Sequence, residues 1–416
     1  MQLHLQCVRA PSLNFALALA VLICSAGLAH SAECTPKDLD CDGIPDALEH
    51  SLLETFRPFF RFSRDNGDDE TFRPQDVGAY LRSSEIDGSG KEGDNILVGH
   101  SAMVSNPWQM SALTNGGGSS NIVRNASRTN YYVNPDNDGG RRGVPWPQAL
   151  ASRRVGLYGH VVPIHIADGQ GYSRTAVPSG DDASNPLYYK IEYWQFFGYS
   201  SNNKPLDLGD HEGDWDTVQV IVKPANFAAG TPLKITSVLF YAHGKELAFD
   251  MTSKTDAVLM DGGTVTEFRG SNYNLPVPNL HDDSFMEGQA RNHVLRMFKD
   301  QVTGDFTHPV VFVEHGGHEF WPSPYWEMYG AQKHGGDDTG HFYLAATPPN
   351  LGEVEHPLSE DPFATQIVQF NGYWGTYSRA LPGIFKNNPP PGPPLHYGWT
   401  YPVDSSVRWQ LKGLEY

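Results

Sequence analysis

The run L-D-L-G-D-H-E-G-D-W-D-T-V-Q-V-I-V, residues 206–222, decides how the chain is read. Its first eleven residues carry Asp207, Asp210, His211, Glu212, Asp214 and Asp216, and it passes without a turn signal into an apolar, β-branched stretch ending at Val222. Acid and imidazole are thereby packed against the start of a buried strand. Along extended backbone alternate residues share a face, so Asp210, Glu212, Asp214 and Asp216 point one way and His211, Gly213 and Trp215 the other. A tight turn at Gly213 would break that alternation and let His211 join Asp214. Carboxylates this close repel, which raises a pKa or draws in a divalent cation. The competing reading is a solvated acidic loop capping a strand; Trp215 counts against it, because solvent loops rarely spend a tryptophan.

Outward from this stretch the chain reads mainly as short strands. Residues 188–197, Y-Y-K-I-E-Y-W-Q-F-F, alternate like a half-buried strand. Strands are also expected over residues 155–166 with a break at Pro163, over 235–243, over 309–314 and at F-F-R-F-S, residues 59–63. After the last of these come an acidic turn and a second short segment, residues 71–81. Loops are expected across the glycine-rich region 106–146, which holds the sequon Asn125-Ala-Ser127. A helix is expected over 285–299, where Met286, Ala290, His293, Val294 and Met297 fall on one stripe, and an extended polyproline strap over 389–394. Many strands, turn-rich connections and few helices define an antiparallel β-sandwich with long loops.

Two histidine clusters stand where apolar strands meet glycine turns: His243-Gly244, and H-G-G-H-E at His315, His318 and Glu319. A sandwich presents ligands at one rim in this way, so a magnesium, manganese or zinc site built from His211, Asp214, Asp216, His243 and His318 is chemically reasonable. His315 and Glu319 are spare ligands. Paired glycines rule H-G-G-H-E out as the helical metalloprotease motif.

The chain's start reads as a secretory signal, residues 1–32: Arg9, an apolar run over 15–23, then small residues through Ala32. No later window is apolar enough to span a bilayer. Of four cysteines, Cys34 and Cys41 follow the signal, and in an oxidising compartment they pair as one small loop. The expected product is secreted, periplasmic or extracellular. A net charge of −18 argues against a nucleic-acid groove.

Between the signal and the sandwich, residues 33–57 form a calcium-loop and helix element. Asp38, Asp40, Asp42, Asp46 and Glu49 fit the pattern D-x-D-x-D-G-x-x-D-x-x-E, with Gly43 at the bend and the Ile44 carbonyl as a further ligand. The G-I-P-D core resembles the calcium loops of dockerins and thrombospondin type 3 repeats. Leu48, Leu52, Leu53 and Phe56 then recur at helical spacing until Pro58. Residues 58–416 are read as a single β-sandwich domain.

The ordered set F-R-P-F-F-R-F-S, E-T-F-R-P-Q-D-V, Y-W-Q-F-F, H-E-G-D-W-D, H-P-V-V-F-V-E-H-G-G-H-E-F-W-P, F-N-G-Y-W-G and P-P-G-P-P resembles the vacuolar protein sorting-associated protein 62 family from about residue 53 to 399. That resemblance implies no established activity. More distantly, D-H-E-G-D-W-D with a later A-H-G is similar to the heptapeptide G-H-R-H-D-W-E and S-A-H-G of necrosis- and ethylene-inducing-like proteins. Those are secreted β-sandwich cytolysins that bind a divalent cation and membrane sphingolipid sugars. The likeness matches His211, Asp214 and Asp216 to the heptapeptide's first histidine, aspartate and final glutamate; Gly213 replaces its second histidine.

Three functions follow. The protein recognises a glycan or lipid head group at a metal-bearing rim, with Trp194, Trp215, Trp321 and Trp326 available for stacking. Alternatively it is a metal-dependent hydrolase with Glu212 or Glu319 as base. The third is a calcium-stabilised surface protein without catalysis. No serine nucleophile elbow, phosphate loop or dinucleotide fingerprint is present in the sequence.

Overall fold

The computed structural model describes residues 34–62, 71–87, 96–99, 132–135, 142–143, 145, 156–167, 171–173, 188–201, 210–224, 232–242, 245–250, 256–259, 266–269, 294–299, 305–322, 327–328, 332–333, 342–354, 356–370, 372–375, 390, 392–395 and 399. The secretory segment, the sequon, His243 and Trp326 lie outside them.

Helix α1 (Asp46–Thr55) leads into β1 (Phe59–Phe62), helix α2 (Val77–Arg82) and the strands β2 (Ser84–Asp87), β3 (Ile96–Val98) and β4 (Tyr132–Pro135). Next come β5 (Leu157–Ala167), β6 (Gly171–Ser173), β7 (Tyr188–Ser200), β8 (His211–Pro224), β9 (Leu233–Ala242) and β10 (Lys245–Asp250). They form one antiparallel sheet in the order β10-β9-β8-β7-β5-β6. The remaining long strands are β11 (Asp256–Leu259), β12 (Thr266–Arg269), β13 (Val294–Lys299), β14 (Phe306–Val313) and β15 (Phe320–Trp321). A small hairpin of β16 (Glu327–Met328) and β17 (Gln332–Lys333) precedes β18 (Phe342–Leu344) and helix α3 (Ala364–Gln369). The second large sheet runs β11-β12-β13-β14-β1-β18, with β15 also on β14, and β3-β2-β4 form a third.

Period-two burial shows why the large sheets stack. On β7 the side chains of Tyr189, Ile191, Tyr193 and Phe197, and on β8 those of Val218, Val220 and Val222, enter one core with Phe60, Phe62, Leu295, Met297 and Phe312 of the opposite sheet. Helix α1 plugs the same core with Leu52, Leu53 and Phe56, each contributing about 1.5–3 kcal/mol by burial. Leu53 lies over Gly159, where a Cβ would collide with its side chain, and its carbonyl accepts a hydrogen bond from Tyr193 Oη at 3.1 Å.

Strand β7 is buried on both faces rather than one. Its intervening residues Trp194 and Phe196 meet a second core made by Trp215, Tyr158, Val77, Tyr80, Ile367, Trp374 and Trp399. Tyr158 of β5 and Trp215 of β8 share this outer face, and the helices and loops that cover it contribute the others, so a single strand's alternation could not reveal the second layer.

Four further expectations are corrected. Residues 294–299 are strand, not helix: β13 pairs with β12 and β14, and Leu295 and Met297 alternate into the core. Over so short a run an apolar stripe fits either period, and tertiary pairing chooses. Strand β5 continues through Pro163, which sits opposite Tyr189 at a position where the other edge has no described strand partner. Within the expected loop region, Tyr132–Pro135 pairs with β2 and the Tyr132 ring stacks on Tyr373 at 5.1 Å. Pro393–Leu395 is a turn of 3-10 helix.

The second short segment folds as α2, whose start is capped by Asp76 accepting from the Ala79 amide at 2.9 Å. Among the described strand pairs β1 beside β14 departs from the antiparallel pattern, in parallel register. Among the described residues no helix is long and apolar enough to cross a membrane.

Candidate functional site

The acidic stretch enters β8 at the rim of the sandwich. Asp214 and Asp216 share the parity of Val218 and Val220, so they face the opposite sheet while Trp215 turns into the outer core. Gly213 has φ +64, and a Cβ there would overlap the Trp374 carbonyl. Only glycine fits this close approach.

From the other sheet, residues 314–319 fold back in a tight turn. The Glu314 amide donates to the Glu319 carbonyl at 3.0 Å, the His318 amide to the Glu314 carbonyl at 3.2 Å, and the Ser201 amide to the Gly316 carbonyl at 2.7 Å. The turn thus joins the end of β14 to the end of β7. His318 is buried, its ring stacked on Phe197 at 4.0 Å and its Nδ1 3.4 Å from Asp214 Oδ2.

Asp214, Asp216, Glu314 and Glu319 thus lie within electrostatic reach of one another, with Asp214 against His318; among the described residues no three ligand atoms here come within 4.8 Å of one another. Burial pushes the Asp216 carboxyl well up, and the negative charges of Asp214 and Glu314 push it further. Glu319 is raised by burial first, then by the charge and hydrogen bond of Glu314, then by Asp216 and Asp214. Asp216 is 8% exposed, and its Oδ2 has no hydrogen-bond partner. Both ring nitrogens of His315 are covered and likewise lack one.

The expected ligand set is therefore only partly assembled. Asp214 meets His318 and Asp216 lies within electrostatic reach of Asp214, whereas His211 is turned back, its Nδ1 2.8 Å from the Gly213 carbonyl. Glu212 is buried beneath Gly375, far from a solvent-facing base. Glu314 went unnoticed in the sequence; its place at the end of an apolar strand, four residues before His318, was the available signal. Trp194, Trp215 and Trp321 are all buried, so none offers an open face for sugar stacking.

A second cluster occupies the N-terminal loop. Cys34 and Cys41 form the expected disulfide. Carboxylate oxygens of Asp38, Asp40 and Asp42 lie within 4.8 Å of one another, as do those of Asp40, Asp46 and Glu49. Burial, then Asp42, Asp38 and Asp46, push Asp40 up to about 8. Burial and then Asp42 and Asp40 raise Glu49 well above its ordinary range. The third such group, Cys34, Cys41 and His356, has its sulfurs committed to the disulfide.

A third set, unforeseen in the sequence, lies on the outer face of the six-stranded sheet. His160 Nδ1 is 3.2 Å from Glu192 Oε2, and its Nε2 is 3.3 Å from Glu353 Oε1. Glu192 also pairs with Lys190 and accepts from Trp194 Nε1 at 2.8 Å and Gln219 Nε2 at 3.4 Å. The Trp399 ring stacks on His160 at 3.8 Å. Burial alone would raise the Glu192 carboxyl; the charges and hydrogen bonds of Lys190 and His160 outweigh it and hold the group down at about 2.

Scanned against protein-family models the chain matches none, and comparisons with curated proteins and with solved structures likewise return no match.

Proposed function

We propose that the protein is an exported metal-binding β-sandwich that recognises a glycan or lipid head group at its acidic rim. The observation that carries this reading is buried Asp216 and half-buried Glu319 within electrostatic reach of Asp214 and Glu314, with the His318 imidazole against Asp214. A divalent cation offsets such repulsion and leaves coordination positions for hydroxyl or phosphate oxygens of a ligand. The working ligand set is Asp214, Asp216, Glu314, Glu319 and His318. His318 holds φ +63, and Cys41 at the N-terminal loop φ +66; among the described residues these are the non-glycine positions in left-handed backbone, one at each candidate centre. The cytolysin likeness of residues 210–216 adds a precedent for a cation at this place in a sandwich. The likeness to the vacuolar protein sorting-associated protein 62 family adds no activity. The disulfide fits an oxidising destination.

A hydrolase built on the same centre is the second reading, favoured by the Glu319 carboxyl, which burial and the Glu314 charge raise above its ordinary range. Metal analysis of the purified chain, followed by glycan-array and liposome binding with and without chelator, tests the first. Asp216→Asn and Glu319→Gln should each lower the rim's metal content and abolish chelator-sensitive binding. Unchanged metal and unchanged binding in both variants would sink the rim reading, and turnover of a bound ligand would move the assignment to hydrolysis.

A further inference from the structure

The loop at residues 38–49 carries more than a cluster of acids. Asp40 is 1% exposed and Glu49 0%, and neither oxygen of either carboxylate has a hydrogen-bond partner. The Asn350 side chain stands near Glu49 outside hydrogen-bond geometry and only partly relieves it. Two buried anions held open toward each other are costly unless a cation shares them.

The remaining groups are already arranged around that point. Asp38 accepts the Cys41 amide on Oδ1 at 2.8 Å and the Gly43 amide on Oδ2 at 3.1 Å. Asp42 Oδ1 accepts the Ile44 amide at 2.6 Å, and Asp46 Oδ1 the Leu39 amide at 2.9 Å. Gly43 makes the bend with φ +93. Counted from Asp38, the acids fall at the first, third, fifth, ninth and twelfth positions, with glycine at the sixth and a carbonyl at the seventh. That spacing is the one calcium loops use to wrap a single ion.

A calcium loop is ordinarily flanked by two helices. Here α1 leaves the loop at Asp46, but on the entering side stand a turn, Thr35 bridged to Asp38, and the Cys34–Cys41 disulfide. We propose that residues 38–49 bind one calcium ion through Asp38, Asp40, Asp42, Asp46, Glu49 and the Ile44 carbonyl, and that the disulfide replaces the entering helix. The bridge holds Asp38 and Asp40 in register while α1 holds Glu49. Because Ile44, Leu52, Leu53 and Phe56 sit in the sandwich core, the ion also staples this element to the sheet. Reduction of the bridge frees the entering side and weakens the site without removing a ligand.

Calcium titration of the oxidised full-length chain by calorimetry, paired with thermal melting, tests this independently of the rim. Wild type binds calcium with a rise in melting temperature. Asp40→Asn, nearly isosteric and relieved of repulsion, folds at least as well without calcium yet loses the calcium-dependent rise; Glu49→Gln weakens binding by about tenfold or more. Reduced wild type, with folding monitored by near-ultraviolet circular dichroism, binds about tenfold more weakly than oxidised. Asp216→Asn keeps the loop's calcium, so failure at the rim and failure here are separable. A calcium response in Asp40→Asn equal to wild type overturns the site, and equal affinity of reduced and oxidised chains overturns the role of the bridge.

Discussion

The six-stranded sheet meets two sets of buried charge treated in opposite ways, one on β5 and β7 and one where β8 meets the turn after β14. On the outer face, Glu192 meets Lys190 and His160, and its carboxyl is drawn down to about 2. At the rim, Asp216 meets Asp214 and Glu314, and its carboxyl is driven up. Burial acts alike on both; the sign of the neighbours decides the outcome. A balanced network closes on itself and fixes where β5, β7 and the segment around Glu353 lie. An unbalanced one remains open to a proton, a cation or a ligand. The first reads as structural, and the second is the centre proposed above to be functional, although the first contains the histidine and lysine that would ordinarily attract attention.

The comparison breaks most visibly at Glu192. Glu192→Gln removes the carboxylate that Lys190 and His160 share, leaving His160 with Glu353, and should cost about 3–5 kcal/mol in urea unfolding at neutral pH. A loss below about 1 kcal/mol would show that the network is not the compensated pair described above.

A pH series on the metal-free chain sharpens it further. Glu192 is held below its ordinary range, so its contribution is present above that range and lost only as pH falls toward about 2. Asp40, raised to about 8, and the similarly raised Asp216 and Glu319 act in reverse. Their stabilisation is full below the ordinary carboxylate value and is lost as pH rises through the folded-state value. In chelator the melting temperature should therefore fall between about pH 5 and pH 8, and calcium should reduce that fall. A flat profile in chelator would mean these acids already have compensating partners.

The smallest effect is expected at His211. Its ring nitrogen engages the Gly213 carbonyl, not the rim. His211→Ala should change stability by about 0.5 kcal/mol and leave the rim's metal content unchanged in elemental analysis. Loss of metal in that variant would restore His211 as a ligand.

How much of this was legible in advance differs by region. The calcium-loop spacing was complete in the sequence because every acid lies within twelve consecutive positions, where chain geometry alone limits what can converge. Most of the rim residues were named from the sequence: Asp214 and Asp216 by strand alternation, His318 and the spare Glu319 by their place at a strand end, whereas Glu314 was not singled out. Their meeting depended on which strand end came to lie beside Phe197, and residues 197 and 318 meet only because β14 and β7 belong to facing sheets. The outer-face network was invisible for the same reason, His160 and Glu353 being separated by 193 positions.

By itself the sequence determined the strand-rich class, the disulfide and the pattern of local acids, all of which follow from periodicity and short-range spacing. Tertiary structure alone decided that β7 is covered on both faces, that residues 294–299 pair as strand, that His211 turns away and Glu314 turns in, and that one set of buried charges is neutralised while another is not. Those outcomes rest on contacts between distant segments, whose energies no local window of residues contains.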